Sequence, residues 1–291
     1  EFMAALITSE KNDVERVGYL IGECKNMGIE VLSPDINESF YGFTVIPGAN
    51  KIRFGLSAIK NVGENTVSEV VANRKANGQF ADIFDFMKRI NPKVINRKSL
   101  EALIKAGAFD AMAERNTLLA NIEKLLEIGR ENEKNKSNGQ RDLFGGSAAK
   151  NTPSYSLSPA REATKPEKLM WEKELLGLFI TSHPLEEYKD TMEKKCLKIT
   201  RVKENPAARL VKIGGMISMM KKIITKTGKP MLFMNLEDLT DKIEVVVFAS
   251  AMEKNPAVFS ESKIVYVYGR VDNRDGETKI VADTVEEVLL I

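Results

Sequence analysis

Apolar positions change their spacing along the chain, and the changes divide it. Over residues 2–27 they recur at helical intervals: Phe2 to Leu6, then Val14 to Met27 with Val17, Leu20, Ile21 and Cys24 on one face. Gly28 suits a helix end, and Ile29 to Leu32 reads as a short extended run. Pro34-Asp35 and Pro47-Gly48 are turn signals. Residues 50–112 then pattern as a compact helical block, with helices over about 56–60, 64–75, 82–90 and 96–105. Leu56, Ile59, Val67, Val70, Ile83, Phe86, Met87, Ile90, Leu100, Leu103 and Ile104 are its expected core. Pro92 ends the third helix and Asn96 caps the fourth. A further helix is expected from about 116 to 134, burying Leu118, Ile122, Leu125 and Leu126.

Asn, Ser, Gly, Lys and Pro dominate residues 135–165, which read as a mobile linker interrupted by one apolar pair, Leu143-Phe144. Helical spacing returns over 166–196 with Trp171, Leu175, Leu176, Leu178 and Phe179, and breaks at His183-Pro184. Beyond residue 207 the period falls to two. Strands are expected at 210–224, 231–237, 242–248, 263–271 and 278–288, with a bulge or bend at Gly214-Gly215 and a short helix over 252–258. Five strands with one helix after the third is the order of an OB-fold barrel. The expected fold class is α+β and multidomain: an all-α region with tandem helix-hairpin-helix turns, followed by a five-stranded β OB-fold barrel.

Composition adds limits. The chain is 43% apolar and 29% charged, ordinary for a globular protein. No apolar run approaches the roughly 18–20 residues that cross a bilayer, so no membrane partner is expected. The opening Glu1-Phe2-Met3 has no basic leader, and it lies inside an apolar helical pattern, as expected of a piece of a longer protein. Cys24 and Cys196 are too few and too distant for a disulfide framework or a metal set, which fits a reducing, cytoplasmic setting. Residues 1–48 hold three basic and eight acidic groups, a net of −5, whereas residues 49–110 hold eleven and six, a net of +5. Residues 207–236 hold six basic groups and no acidic one. Local basic excess of this kind points to a polyanion.

The candidate chemistry sits at the turns. Ile59-Lys60-Asn61-Val62-Gly63-Glu64-Asn65-Thr66 joins two helical segments through a turn needing special backbone angles. A helix starting there presents unsatisfied N–H groups and a positive dipole end, a site for phosphate. Lys60, Asn61, Val62, Gly63, Glu64 and Asn65 are therefore candidate contacts for a nucleic-acid phosphate. The turn at Ala106-Gly107-Ala108, with Lys105 beside it, is a second candidate or a pseudo-repeat that braces the first. In the barrel, Lys221, Lys222, Lys226 and Lys229 surround the first hairpin tip, and Phe233 faces away from Leu232, Met234 and Leu236. Cations with an aromatic ring on such a face suit single-stranded DNA. Tyr266 and Tyr268 are assigned to barrel packing, and His183 to a turn before Pro184. One histidine and two distant cysteines support no catalytic triad and no metal site.

These residues carry a resemblance. Ile52-Arg53-Phe54-Gly55-Leu56-Ser57-Ala58-Ile59-Lys60-Asn61-Val62-Gly63 resembles the junction between fingers and helix-hairpin-helix domains in the bacterial DNA polymerase III alpha subunits, the C-family replicative polymerases. Phe2-Met3-Ala4-Ala5-Leu6 and Met27-Gly28-Ile29-Glu30-Val31-Leu32 with Pro34-Asp35 look like that family's fingers. Trp171-Glu172-Lys173-Glu174-Leu175-Leu176-Gly177 with Ser182-His183-Pro184-Leu185 looks like the approach to its OB domain. The family pattern usually places Gly-Val-Gly where this chain has Asn61-Val62-Gly63.

The resemblance implies an organisation: residues 1–48 as the end of the fingers, 49–134 as tandem helix-hairpin-helix, 135–165 as linker, 166–206 as helical connector and 207–291 as OB domain. It implies that Gln140, Asp142, Leu143 and Phe144, in Gln140-Arg141-Asp142-Leu143-Phe144, match the pattern by which the family binds the sliding clamp. It implies work in DNA replication, with duplex on the hairpins, single-stranded template on the barrel, and other replisome subunits as partners. The family's magnesium-binding aspartates lie upstream of the fingers, and no Pro-Asp-x-Asp-x-Asp stretch occurs here. The fragment is therefore expected to need no cofactor of its own and to be inactive alone, although the parent is a polymerase using Mg2+. The alternative is a non-enzymatic scaffold that docks protein partners and touches DNA little.

Overall fold

The computed structural model describes residues 1–137, 155–205, 210–225, 228–273 and 276–288. Packing divides the chain into two units, 1–182 and 183–291. The expected connector 166–206 is thus split. Leu175 and Leu176 of its first half join the helical unit's core, whereas Ile199 and Val202 of its second half join the barrel core.

In the first unit, helix α1 spans Phe2–Ser9 and α2 spans Val14–Asn26. The Asp13 carboxylate caps α2 by accepting the Arg16 N–H at 3.0 Å. Strands β1 (Glu30–Leu32), β2 (Thr44–Val45) and β3 (Lys51–Arg53) form a small sheet with β3 central, parallel to β1 and antiparallel to β2. The sequence reading had only one extended run here, because strands of two or three residues are too short to show a period. The expected helix over 56–60 is a single 3-10 turn, Leu56–Ala58, since Ile59 takes extended angles (φ −78°, ψ 121°). Leu56 and Ile59 are nevertheless buried as expected.

Helices α3 (Glu64–Asn77), α4 (Ile83–Arg89), α5 (Arg97–Lys105), α6 (Arg115–Ala120) and α7 (Ile122–Ser137) follow. Asn96 and Ser99 form a reciprocal capping box at α5. The single helix expected over 116–134 breaks at Asn121, whose side-chain amide both accepts from the Ser158 N–H and donates to the Ser158 carbonyl, each at 2.9 Å. That bond belongs to a strap, residues 155–163, which the composition had assigned to a mobile linker. Tyr155 stacks on Phe84 with centroids 5.6 Å apart, Leu157 packs on the core, and Lys124 donates to the Ser156 carbonyl. Helix α8 (Lys165–Leu176) closes the unit, with a Thr164–Glu167 capping box. Phe80, Phe86 and Phe109 meet edge to face at 5.0 and 4.9 Å in the core.

The second unit opens with a 3-10 turn, Pro184–Tyr188, then α9 (Lys189–Lys195) and α10 (Ile199–Glu204). His183 caps the first turn, its Nδ1 accepting the Leu185 N–H at 3.1 Å. Strands β4 (Leu210–Ile224), β5 (Pro230–Glu237), β6 (Lys242–Phe248), β7 (Ile264–Asp272) and β8 (Lys279–Glu287) close a barrel in the order β4-β5-β6-β8-β7. Ile213, Ile217, Leu236, Val245, Val247, Val265, Val267 and Ile280 fill it at 0% exposure, each burial worth about 1.5–3 kcal/mol. The bulge in β4 lies between Ile217 and Met219, not at the expected Gly214-Gly215. Gly215 instead leaves room for the end of the neighbouring strand β5, since a Cβ there would sit 2.6 Å from the Glu237 carbonyl oxygen. The expected helix over 252–258 is α11 (Ala249–Met252) followed by a 3-10 turn, Pro256–Val258. Pro256, with no N–H and a fixed φ, starts the new turn.

Candidate nucleic-acid interface

The turn before α3 has the backbone the sequence asked for. Asn61 is left-handed, with φ +70°. Asparagine tolerates that region better than other non-glycine residues. Gly63 is the N-cap at φ −75°, an angle open to any residue, and a Cβ there would meet nothing within 4 Å. Neither conformation nor packing requires glycine, so its effect is to leave the approach to the amides of Gly63, Glu64, Asn65 and Thr66 unobstructed. No side chain caps this end of α3. Lys60 and Asn65 are exposed beside it. Val62 differs: its side chain is buried and its N–H donates to the Ile59 carbonyl, so it anchors the turn from within. The Lys60 N–H donates to the Leu175 carbonyl at 2.9 Å, tying the turn to α8. The Glu64 carboxylate does not cap the helix but accepts from the Tyr41 hydroxyl, with Lys11 Nζ at 3.5 Å.

The second turn is closed. Gly107 takes φ +87° and is buried, with Arg115 so near that a Cβ would lie 2.4 Å from its guanidinium. Arg115, 2% exposed, donates to the Lys105 carbonyl at 2.8 Å and to both Asp110 carboxylate oxygens at 2.8 and 2.6 Å. Lys105 pairs with Glu101 at 2.7 Å on its own helix. At the start of α6 the Glu114 carboxylate accepts the N–H groups of Thr117 and Ala163 at 2.9 and 2.8 Å. Burial disfavours that charge, but those N–H donors and that of Asn116 outweigh it and hold the carboxyl below its ordinary value. A protein carboxylate thus sits where the first turn leaves an opening. Lys105 and Gly107, both candidates from sequence, form no open anion site.

The basic excess of residues 49–110 is also mostly internal. Arg53 binds Glu38, Lys51 binds Glu30, Lys93 binds Glu133, and Arg97 binds Glu123. Arg74 is buried and donates to the Ile36 carbonyl, and Arg89 holds Asp85, Asn73 and the carbonyls of Gly78 and Gln79. Lys60 makes no ion pair among the described residues.

On the barrel, strand register sorts the candidates. Lys221 is the register partner of Phe233, which is partner to Val246, so these three share the outer face. Lys222 pairs with Leu232, an inward position, and leaves on the opposite side while remaining exposed. Lys229 is exposed just before β5, and Lys226 lies outside the described residues. The sequence reading missed Phe248, which is 46% exposed and is the partner of Met231. It stands diagonal to Phe233 across β5 and β6, and its signal was available as the last outward position of a strand ending in alternation. Tyr266 and Tyr268, expected as barrel packing, lie outside the barrel with Lys212 Nζ 4.3 and 4.8 Å from their ring centres. A hydrogen bond from Lys212 to Tyr268 raises the lysine's pKa, and burial raises that of Tyr266. Burial also pushes the Cys196 thiol up to about 11, so it is a protonated packing group.

Gln140, Asp142, Leu143 and Phe144 lie outside the described residues. Among the described residues no group of three or more His, Cys, Asp or Glu could hold a metal ion, and no helix is long and apolar enough to cross a membrane. Asp35 is engaged as a turn cap, its Oδ1 accepting the N–H groups of Asn37 and Glu38 at 2.7 and 3.0 Å.

Two family models match this chain. Residues 28–118 match one described as a helix-hairpin-helix motif, and residues 211–288 match one described as an OB-fold nucleic acid binding domain. Relatives align over nearly the whole sequence. It is 36% identical over 292 residues to the DNA polymerase III subunit alpha of Borreliella burgdorferi, covering 98% of this chain and 25% of the relative. It is 38% identical over 289 residues to that of Aquifex aeolicus, covering 99% and 23%. It is 31% identical over 295 residues to that of Escherichia coli, covering 99% and 25%. The chain therefore spans about a quarter of the length of these curated relatives.

Proposed function

We propose, from the premise that this chain belongs to the DNA polymerase III alpha-subunit family along nearly its whole length, that it is the DNA-gripping part of a replicative polymerase. The observation that carries the reading is the uncapped start of α3 behind the left-handed Asn61, with Lys60 exposed beside it. Phosphate oxygens of duplex DNA suit those N–H groups and the positive helix end. The grip is sequence-independent, as a polymerase product requires.

The barrel takes single-stranded template on the outer face of β5 and β6, where Phe233 and Phe248 offer rings and Lys221 a cation. Lys222, Lys226 and Lys229 attract the strand by charge. Gln140, Asp142, Leu143 and Phe144 dock the sliding clamp, two adjacent apolar side chains filling its pocket. Other replisome subunits and a cytoplasmic setting go with this role. Polymerisation belongs to the parent enzyme, whose magnesium-binding carboxylates lie outside this chain, so we infer that the chain alone does not extend DNA.

The test is one titration series of this chain with labelled duplex, single-stranded and primed DNA at several salt concentrations. The expected result is affinity for all three that falls steeply as salt rises. Absence of DNA binding at low salt would favour the scaffold alternative. A primer-extension assay with dNTPs and magnesium should yield no product, and robust extension would sink that part of the reading.

A further inference from the structure

The two hairpins differ in what fills the start of their second helix. At α6 the Glu114 carboxylate itself accepts backbone N–H groups of the helix start, those of Thr117 and Asn116. At α3 an acidic residue is just as near: Glu64 is its first residue, and its side chain is 74% exposed. A free carboxylate there would be drawn to the same amides as a DNA phosphate, and would repel that phosphate if it stayed close. It is restrained instead. Lys11 Nζ donates to the Tyr41 hydroxyl at 2.8 Å, and that hydroxyl donates to Glu64 Oε1. Lys11 comes from the turn between α1 and α2, and Tyr41 from the loop before β2. The loop is itself locked, because the Phe43 N–H donates to Thr8 Oγ1 at 2.9 Å and Gly42 lies against Thr8 and Gly55.

We infer that Tyr41 and Lys11 are positioning residues that tether the Glu64 carboxylate away from the phosphate site of the first hairpin and neutralise it, keeping that site open for duplex DNA. The inference rests on the duplex-binding reading of the hairpin and adds residues from outside it. The charge states agree with the geometry: the hydrogen bond from the Tyr41 hydroxyl, with Lys11 nearby, lowers the pKa of Glu64, and the separate hydrogen bond that Lys11 donates to that hydroxyl raises that of Lys11. Both groups are therefore charged near neutrality.

A double-mutant cycle in the 291-residue chain tests it, read as the affinity for a labelled duplex DNA. Tyr41→Phe should weaken binding roughly two- to fivefold, the effect of one charge at a helix start. Lys11→Met should act in the same direction. Glu64→Gln should bind at least as well as the parent, and Tyr41→Phe in the Glu64→Gln background should cause no loss. A purely structural role for Tyr41 would not show that rescue. Equal loss in both backgrounds, or no loss from Tyr41→Phe, overturns the tether while a weakened Lys60→Glu variant leaves the hairpin reading standing. If Lys60→Glu binds duplex as the parent does, the hairpin reading fails and the tether with it.

Discussion

Lys221 and Phe233 are register partners on β4 and β5, so an ammonium and an aromatic ring leave the barrel side by side on its outer face. Phe248 stands diagonal to that ring on β6. A stacked base is worth about 1–3 kcal/mol, so Phe233→Ala and Phe248→Ala should each weaken oligo-dT binding by roughly fivefold or more. The salt slope should stay unchanged in both. Lys221→Ala with Lys229→Ala should instead flatten the salt slope while weakening binding. Fluorescence anisotropy over a salt series separates the two effects.

Asn61 and Gly63 should respond differently to substitution. Asn61→Gly should retain duplex binding and stability, because glycine adopts φ +70° freely. Asn61→Val should lose about 1–2 kcal/mol of stability, since a branched side chain resists that angle. Gly63→Ala should leave stability unchanged or raise it by about 0.4–1 kcal/mol, as φ is −75° and nothing lies near. If the amides there meet DNA, the same change should still weaken duplex affinity. Urea unfolding and duplex titration on the same samples give both readings.

Glu114 sets a pH dependence. Its folded pKa lies below the ordinary carboxylate value of 4.5, so the unfolded chain takes up a proton first as pH falls. The stabilisation is fully present above 4.5 and is lost as pH drops through the lowered folded value. Thermal unfolding should show wild type more stable than Glu114→Gln near neutrality, with the difference narrowing under acid. A difference independent of pH would contradict the assignment.

The proposed clamp contact rests on Gln140, Asp142, Leu143 and Phe144. Leu143→Ala with Phe144→Ala should abolish co-elution with the sliding clamp in size-exclusion chromatography, and DNA binding by the hairpin and barrel should be unaffected. Retained co-elution would refute the motif.

The overall basic excess of residues 49–110 overstates the cations left without an internal partner. Arg53, Lys93 and Arg97 are paired with Glu38, Glu133 and Glu123, at separations of 15 residues for Arg53 and 26 for Arg97. No local window reveals such pairs. The strap at 155–163 was hidden likewise, because a polar, proline-containing run carries no periodicity even when Asn121 and Phe84 hold it.

The sequence alone determined the succession of a helical region and a five-stranded barrel, because periods of 3.6 and two persist over whole elements. It also determined the left-handed turn at Asn61, because few residues tolerate that angle. Tertiary structure decided which turn stays open. Gly107 and Gly63 both announce a hairpin, but Arg115 folds back over one and Glu114 caps the helix after it, while at the other Glu64 is bonded to Tyr41 and caps nothing. Those outcomes depend on side chains brought together from distant parts of the chain, whose mutual distances no spacing in the sequence encodes.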